Sequence, residues 1–151
     1  MTIQAVAATS TALAAPAHRS IARYAVHAAR ILLGLVFFVF GLDGFLHFVP
    51  QPTEPPSEAA MAFAVGLIKT GYMFPLIKGT EVAVGALLLA NRFVPLALVV
   101  IAPVIVNIFA FHAFLAPSGL AIASALVALE LGLAWAHRSA YRPLLALRTA
   151  R

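Results

Sequence analysis

The fold is decided by residues 93–129, FVPLALVVIAPVIVNIFAFHAFLAPSGLAIASALVAL, a stretch of 37 residues without Asp, Glu, Lys or Arg. A helix rises about 1.5 Å per residue and the hydrocarbon layer of a bilayer is roughly 30 Å thick, so this stretch is long enough for two crossings. The sequence APSG at 116–119 supplies a turn between them. The stretch therefore predicts two antiparallel membrane-spanning helices.

The composition of the whole chain leads to the same class of protein. Hydrophobic residues make up 63% of the 151 residues and charged residues only 10%. A soluble domain is nearer half apolar and a quarter charged, so this chain has too few polar groups to cover a globule in water. We therefore expect a lipid bilayer to surround it. The absence of cysteine excludes disulfides, thiol catalysis and Cys-ligated iron–sulfur clusters.

Turn signals divide the chain into four predicted spans, at about residues 31–49, 73–90, 93–115 and 120–137. After the first span comes a Pro-rich loop, and residues 57–68, SEAAMAFAVGLI, then predict a helix too short to cross the bilayer. The other two connections are short and require antiparallel neighbours. The predicted fold is an all-α, up-and-down bundle of four transmembrane helices, residues 18–137, with a short extra helix between spans 1 and 2.

Basic residues predict the orientation of the bundle. With both termini cytoplasmic, eight of the ten Lys and Arg residues lie on the inner side, as the positive-inside rule favours, and the short helix lies outside. The net charge of +5 thus reflects topology and does not indicate nucleic-acid binding. Residues 1–17 are expected to form a disordered Ala/Thr/Ser-rich tail, with a transit peptide as the alternative, and residues 138–151 a basic cytoplasmic tail. The eight inner residues are Arg19, Arg23, Arg30, Arg92, Arg138, Arg142, Arg148 and Arg151.

Most polar groups at membrane depth fall in the outer half of the predicted bundle. Three spans bring them to two layers, roughly 5 Å and 9–12 Å below the outer boundary. Such groups are costly in lipid, so they predict an outward-facing ligand pocket whose side chains exchange protons. The alternative is that an ion pair and interhelical hydrogen bonds only hold the helices in register. The six candidates are Asp43, His47, Lys78, Glu81, Asn107 and His112.

Three further features bear on the chemistry. Asn107 and His112 are about 140° apart around their helix, so at least one is expected to serve another purpose. Glu130 lies roughly 16 Å down the fourth span; it is expected to be protonated or paired with Arg30 or Arg92, or to act as an inner proton site. His47 and His112 alone are weak support for a haem, which we do not expect. The sequence contains no metal-binding, phosphate-binding or other catalytic motif.

Several motifs resemble the DoxX family of small membrane proteins over about residues 30–133. They are RILLGLVFFVFGLDGFLHFVP at 30–50, the Gly71-Tyr72 pair, Glu81, and FHAFL at 111–115. The resemblance implies a four-helix protein of the bacterial inner membrane. Named members are associated with a thiosulfate:quinone oxidoreductase or with membrane redox and detoxification complexes. Related sequences often carry Asn-Lys where this chain has Asp43-Gly44, so a role that depends on that Lys is not transferred.

Two hypotheses for the function follow from the polar cluster and the resemblance. In the first, the protein is a quinone-linked accessory of a membrane redox complex, at most the membrane subunit of an oxidoreductase, and a redox protein partner carries the electrons. In the second, it is a small-solute carrier or a non-catalytic scaffold whose polar cluster is structural. Either is compatible with a homo-oligomer.

Overall fold

The computed structural model describes residues 15–50 and 55–143, and this part of the chain contains helices and no strand, which confirms the all-α prediction. Its helices are α1 (Ala15–Leu46), α2 (Glu58–Lys69), α3 (Met73–Leu89), α4 (Val94–Phe114), α5 (Leu120–Ala136) and α6 (Arg138–Tyr141), with a 3₁₀ turn at Pro117–Gly119. The expectations for residues 1–14 and 144–151 lie outside the described residues. Helix α1 begins at Ala15, within the stretch assigned to the N-terminal tail.

Three segments are long and apolar enough to cross a membrane, namely Ile21–Leu46, Val94–Phe114 and Pro117–Ala136. Helices α2 and α3 meet this criterion only together, and a bend of 90° separates them. In the three segments only 28%, 28% and 17% of the most apolar window is buried inside the chain, so most apolar side chains face outwards. Outward-facing apolar surface of this extent requires lipid. The protein therefore has three or four membrane-spanning helices.

The four long helices pack in a closed ring. Helix α1 contacts α3 and α5, and α4 contacts the same two helices from the opposite side. The short helix α2 packs beside α3 at one end of the ring. Each long helix contributes buried apolar side chains to one continuous core, which includes Leu33, Phe37, Val84, Leu88, Leu98, Ile101, Ile105 and Leu133.

Glycines bring α1 and α3 into close antiparallel contact. A Cβ atom at Gly85 would lie 2.5 Å from the backbone N of Phe38, and one at Gly41 would lie 2.8 Å from the backbone N of Val82. The neighbouring backbone therefore occupies the space that any larger residue needs, as in closely packed membrane helices. Along the pair the facing positions are Gly34 with Leu88, Phe38 with Gly85, Gly41 with Val82, and Gly44 with Lys78.

The C-terminus of α3 is closed by a complete Schellman motif. Asn91 adopts a positive φ of 54°, a conformation that Asn tolerates better than most residues. Its N–H donates to the Leu88 carbonyl at 3.1 Å, and the Arg92 N–H donates to the Leu87 carbonyl at 2.9 Å. The turn thus satisfies carbonyl groups that a helix end otherwise leaves without a donor.

Arg30 of α1 adds a second cap to the same helix end. Its buried guanidinium donates from Nη1 to the carbonyl oxygens of Leu88 and Leu89. No ion pair joins Glu130 to Arg30 or Arg92 in the described part of the chain. We call this end of the bundle, which carries Arg30 and the turn at 90–93, the capped end. The opposite end, where α1 and α4 finish, is called the cavity end.

Candidate ligand-binding site

Two adjacent cavities occupy the cavity end. The first, of about 430 Å³, lies between α2, α3 and α4, and the second, of about 320 Å³, lies between α1 and α3. Phe74 and Lys78 line both cavities and separate them. The six predicted pocket residues are therefore divided: Lys78, Glu81, Asn107 and His112 line the first cavity, whereas Asp43, His47 and again Lys78 line the second.

The wall of the first cavity is mainly apolar and aromatic. The rings of Phe63 and Phe111 lie 5.4 Å apart at an angle of 45°. Small-molecule sites typically enclose about 300–1,000 Å³ and combine such walls with a few polar groups, so the first cavity has the character of a binding site. Its apolar lining consists of Phe63, Ala64, Leu67, Ile68, Phe74, Ile77, Pro103, Val104, Ile108 and Phe111.

Helix α2 forms one side of the first cavity, a contribution that the sequence prediction missed. The 90° bend between α2 and α3 turns this helix over the cavity, and Gly71 within the bend has a φ of 78°. The Ser57 hydroxyl at the start of α2 donates to the Leu115 carbonyl at 2.8 Å and so links it to the end of α4. The apolar pair Phe63 and Leu67, spaced i, i+4, was the available signal in the sequence. The angle of the bend had no such signal.

Lys78 and Glu81 form an ion pair of 2.8 Å on one face of α3. The side chain of Glu81 is only 5% exposed and that of Lys78 is 22% exposed, so the pair is largely shielded from solvent. The Lys78 ammonium also donates to the Phe40 carbonyl at 3.4 Å, which leaves its third hydrogen for a ligand. A Cβ at Gly44 would lie 2.5 Å from the Lys78 side chain, so the absence of a side chain at this position leaves room for the lysine.

Asp43 has a structural partner of its own. Its Oδ1 atom accepts the Val49 N–H at 2.7 Å, beyond the end of α1. His47 follows the helix with a positive φ of 52°, and its side chain is exposed beside the second cavity. The Asp43 carboxylate therefore holds the segment after α1 that contains His47, and no ion pair joins it to Lys78.

His112 is held in position by the loop that follows α4. Its Nδ1 donates to the Ala116 carbonyl at 2.9 Å, and its ring packs edge-on against Phe111 at 5.3 Å. Any Cβ at Gly119 would overlap the imidazole. Because the carbonyl can only accept, Nδ1 carries the proton and Nε2 of the neutral ring is an acceptor. His112 thus has the second purpose that its angle to Asn107 suggested, and both residues still line the first cavity.

The remaining candidates lie apart from this arrangement. Glu130 lines a groove between α4 and α5, away from both cavities. His47 and His112 line different cavities. Within residues 15–50 and 55–143, no three His, Asp or Glu side chains come together in the manner of metal ligands.

The outward-facing apolar helices define this chain as a multi-pass helical membrane protein. The family model described as DoxX matches residues 25–113, more than half of the 151 residues, so the chain belongs to the DoxX family. The matched region includes all six predicted pocket residues and ends before Glu130. No curated protein and no solved structure matches the chain.

Proposed function

We propose that the first cavity binds the head group of a quinone and that the protein is a quinone-linked accessory or subunit of a membrane redox complex. One observation carries this proposal: a cavity of about 430 Å³ combines aromatic walls with the polar groups of Lys78, Asn107 and His112. A quinone head group is a flat ring with oxygen atoms on opposite sides. Aromatic walls favour the ring, and the polar groups favour its oxygen atoms.

The polar groups suit both oxidation states of such a ligand. The free hydrogen of the Lys78 ammonium can donate to a quinone carbonyl. Nε2 of neutral His112 can accept from the hydroxyl of a quinol, and the Asn107 amide can donate or accept. Since the chain contains no cysteine, we assign electron transfer to the bound quinone and a redox protein partner.

We further propose that α1, α3, α4 and α5 all cross the bacterial inner membrane with both termini in the cytoplasm. Helix α3 has only 17 residues, but glycine contacts keep it beside α1 from Leu88 to Lys78, so the two helices occupy the same depth of the bilayer. Arg30, Arg92 and Arg138 belong to the capped end, which makes it the cytoplasmic end by the positive-inside rule. The cavities then face outwards.

The topology can be tested because the native chain has no cysteine. Ser57→Cys places a thiol at the cavity end, and Ser139→Cys places one at the capped end. In intact cells a membrane-impermeant maleimide should label Ser57→Cys alone, and after permeabilisation it should label both. Labelling of Ser139→Cys in intact cells would refute the proposed orientation.

Ligand binding can be tested with a short-chain benzoquinone and its quinol on protein in nanodiscs. Calorimetry and the unfolding temperature should both report saturable binding to the native chain. Phe111→Leu and Asn107→Leu should weaken it at least tenfold, about the effect of losing one good contact. Phe109→Leu is the matched control, because Phe109 lies on the same helix but does not line the cavity. Equal binding by all variants, or none by the native chain, refutes the proposal.

The scaffold alternative also has one observation in its favour. Lys78 and Glu81 form an ion pair, and the Asp43 carboxylate accepts a hydrogen bond from the Val49 N–H. None of these three charges therefore requires a ligand. If the cluster is only structural, Glu81→Gln should lower the unfolding temperature and the native chain should show no saturable quinone binding. The same calorimetric titration therefore separates the two functions.

A further inference from the structure

The groove between α4 and α5 differs in character from the two cavities. It encloses about 260 Å³, and every residue that lines it is apolar except Glu130. Buried Leu98 and Ile105 form its inner side, while Val106 and Leu131 are exposed along its edges. The groove therefore opens towards the surface that the bilayer covers.

Glu130 is an unpartnered carboxyl group within this apolar groove. The residue is only 8% exposed, and no hydrogen bond or ion pair to it occurs within residues 15–50 and 55–143. A carboxyl at membrane depth is costly without a partner, and in known membrane proteins such groups are commonly functional. The Arg30 guanidinium donates to the carbonyls of Leu88 and Leu89 and forms no ion pair with Glu130.

Tyr141 is the group on which the charge of Glu130 acts. Tyr141 of α6 donates its hydroxyl to the Pro95 carbonyl at 3.1 Å, so it is not a hydrogen-bond partner of Glu130. Burial raises the pKa of Tyr141, and the negative charge of Glu130 raises this pKa further. No Lys, Arg or His side chain within residues 15–50 and 55–143 lies within ion-pair distance of the Glu130 carboxylate.

Helix α4 contributes a second acceptor near the groove. Pro103 has no N–H, so the carbonyl of Val99 receives no helical hydrogen bond from it. Val99 lines the groove together with Glu130. The groove is thus lined by one residue with a carboxylate and another whose carbonyl lacks its usual helical donor, and both groups favour a positively charged ligand.

We propose that this groove is a second ligand site, specific for a lipophilic cation. The positive group lies against the Glu130 carboxylate, and the apolar body lies along the groove towards the lipid. The site is independent of the quinone proposal, since the two sites share no residue and require ligands of different charge.

The test compares two ligands of the same shape and different charge. Benzyltrimethylammonium carries the cation, and neopentylbenzene replaces its nitrogen by carbon. We expect calorimetry on protein in zwitterionic nanodiscs to show saturable binding of the cation and none of the neutral compound. In a chain labelled with ¹³C at the Glu carboxyl groups, the cation should shift the Glu130 resonance, identified by its loss in Glu130→Gln.

Variants separate the charge from the shape of the groove. Glu130→Gln should weaken binding of the cation at least tenfold, and Ala102→Leu should do the same by filling the groove while keeping the carboxylate. Glu58→Gln, on the exposed start of α2, is the matched control and should bind as the native chain does. Unchanged binding by Glu130→Gln, or equal binding of both ligands, overturns the proposal. Absence of saturable cation binding by the native chain also overturns it. If the chain then forms a dimer that Ala102→Leu dissociates, a second copy covers the groove.

Discussion

The capped end and the cavity end of the bundle use the same two helices in opposite ways. At the capped end, Arg30 and the turn after α3 satisfy the helix terminus, and Gly85 lets α3 touch the backbone of α1. At the cavity end, Gly44 faces a flexible lysine side chain instead of backbone, and cavities lie on both sides of that lysine. Close packing at one end sets the register of α1 and α3, so that the other end can hold polar groups around open space.

The largest expected effect on stability comes from Gly85→Ala at the tight contact. The added methyl would meet the backbone of Phe38, which cannot rotate away, so we expect the free energy of unfolding to fall by about 2–3 kcal/mol. Reversible unfolding by dodecyl sulfate in mixed micelles, followed by circular dichroism, measures this change. Gly79→Ala in the same helix is the control; with no atom within 4 Å it should be neutral or stabilise. Equal losses in both variants would contradict the close contact.

Arg30→Met should have the next largest effect. It keeps most of the volume of the side chain but removes the donors to the Leu88 and Leu89 carbonyls, so we expect a loss of about 1–3 kcal/mol in the same assay. Arg30→Lys should recover part of the loss. The control is Arg23→Met on the exposed part of α1, which should change the unfolding free energy by less than about 0.5 kcal/mol. If Arg23→Met costs as much, the second cap contributes nothing specific.

Asp43→Ala should have a smaller effect on stability, at the cavity end. It removes the acceptor for the Val49 N–H and should cost about 1 kcal/mol, whereas Asp43→Asn keeps an acceptor and should cost less. Neither variant should change quinone affinity in the calorimetric titration, because Asp43 lines the second cavity and not the first. A tenfold loss of affinity in Asp43→Asn would mean that the two cavities act as one site.

Gly44→Ala should have the smallest effect on stability and yet affect the ligand. The new methyl meets the middle of the Lys78 side chain and no backbone atom, so this side chain can move aside and the free energy of unfolding should fall by less than about 1 kcal/mol. Displacing Lys78 should weaken quinone binding about tenfold, the equivalent of one hydrogen bond. Circular dichroism and calorimetry on the same sample measure both quantities. A stability loss equal to that of Gly85→Ala would show that both ends are packed alike.

Part of the site was predictable because helix geometry relates sequence distance to depth. The spacing of Lys78 and Glu81, i and i+3, placed them on one face of a helix, and the structure joins them as an ion pair. Depth alone could not separate Asp43 and His47 from the other four residues, because they share a layer but lie on the other side of α3. The wall formed by Phe63 and its neighbours was missed because it depends on the bend after α2.

The sequence by itself determined the class of protein and the kinds of polar group that it carries into the membrane. Long apolar stretches with few charges require helices in lipid, because backbone polar groups there must bond within the segment. Only the tertiary structure decided which cavity each polar side chain lines and that Glu130 lies in an apolar groove. Those outcomes depend on the angle between α2 and α3 and on how closely glycines let α1 approach α3. Both are properties of packing between segments, which no single segment encodes.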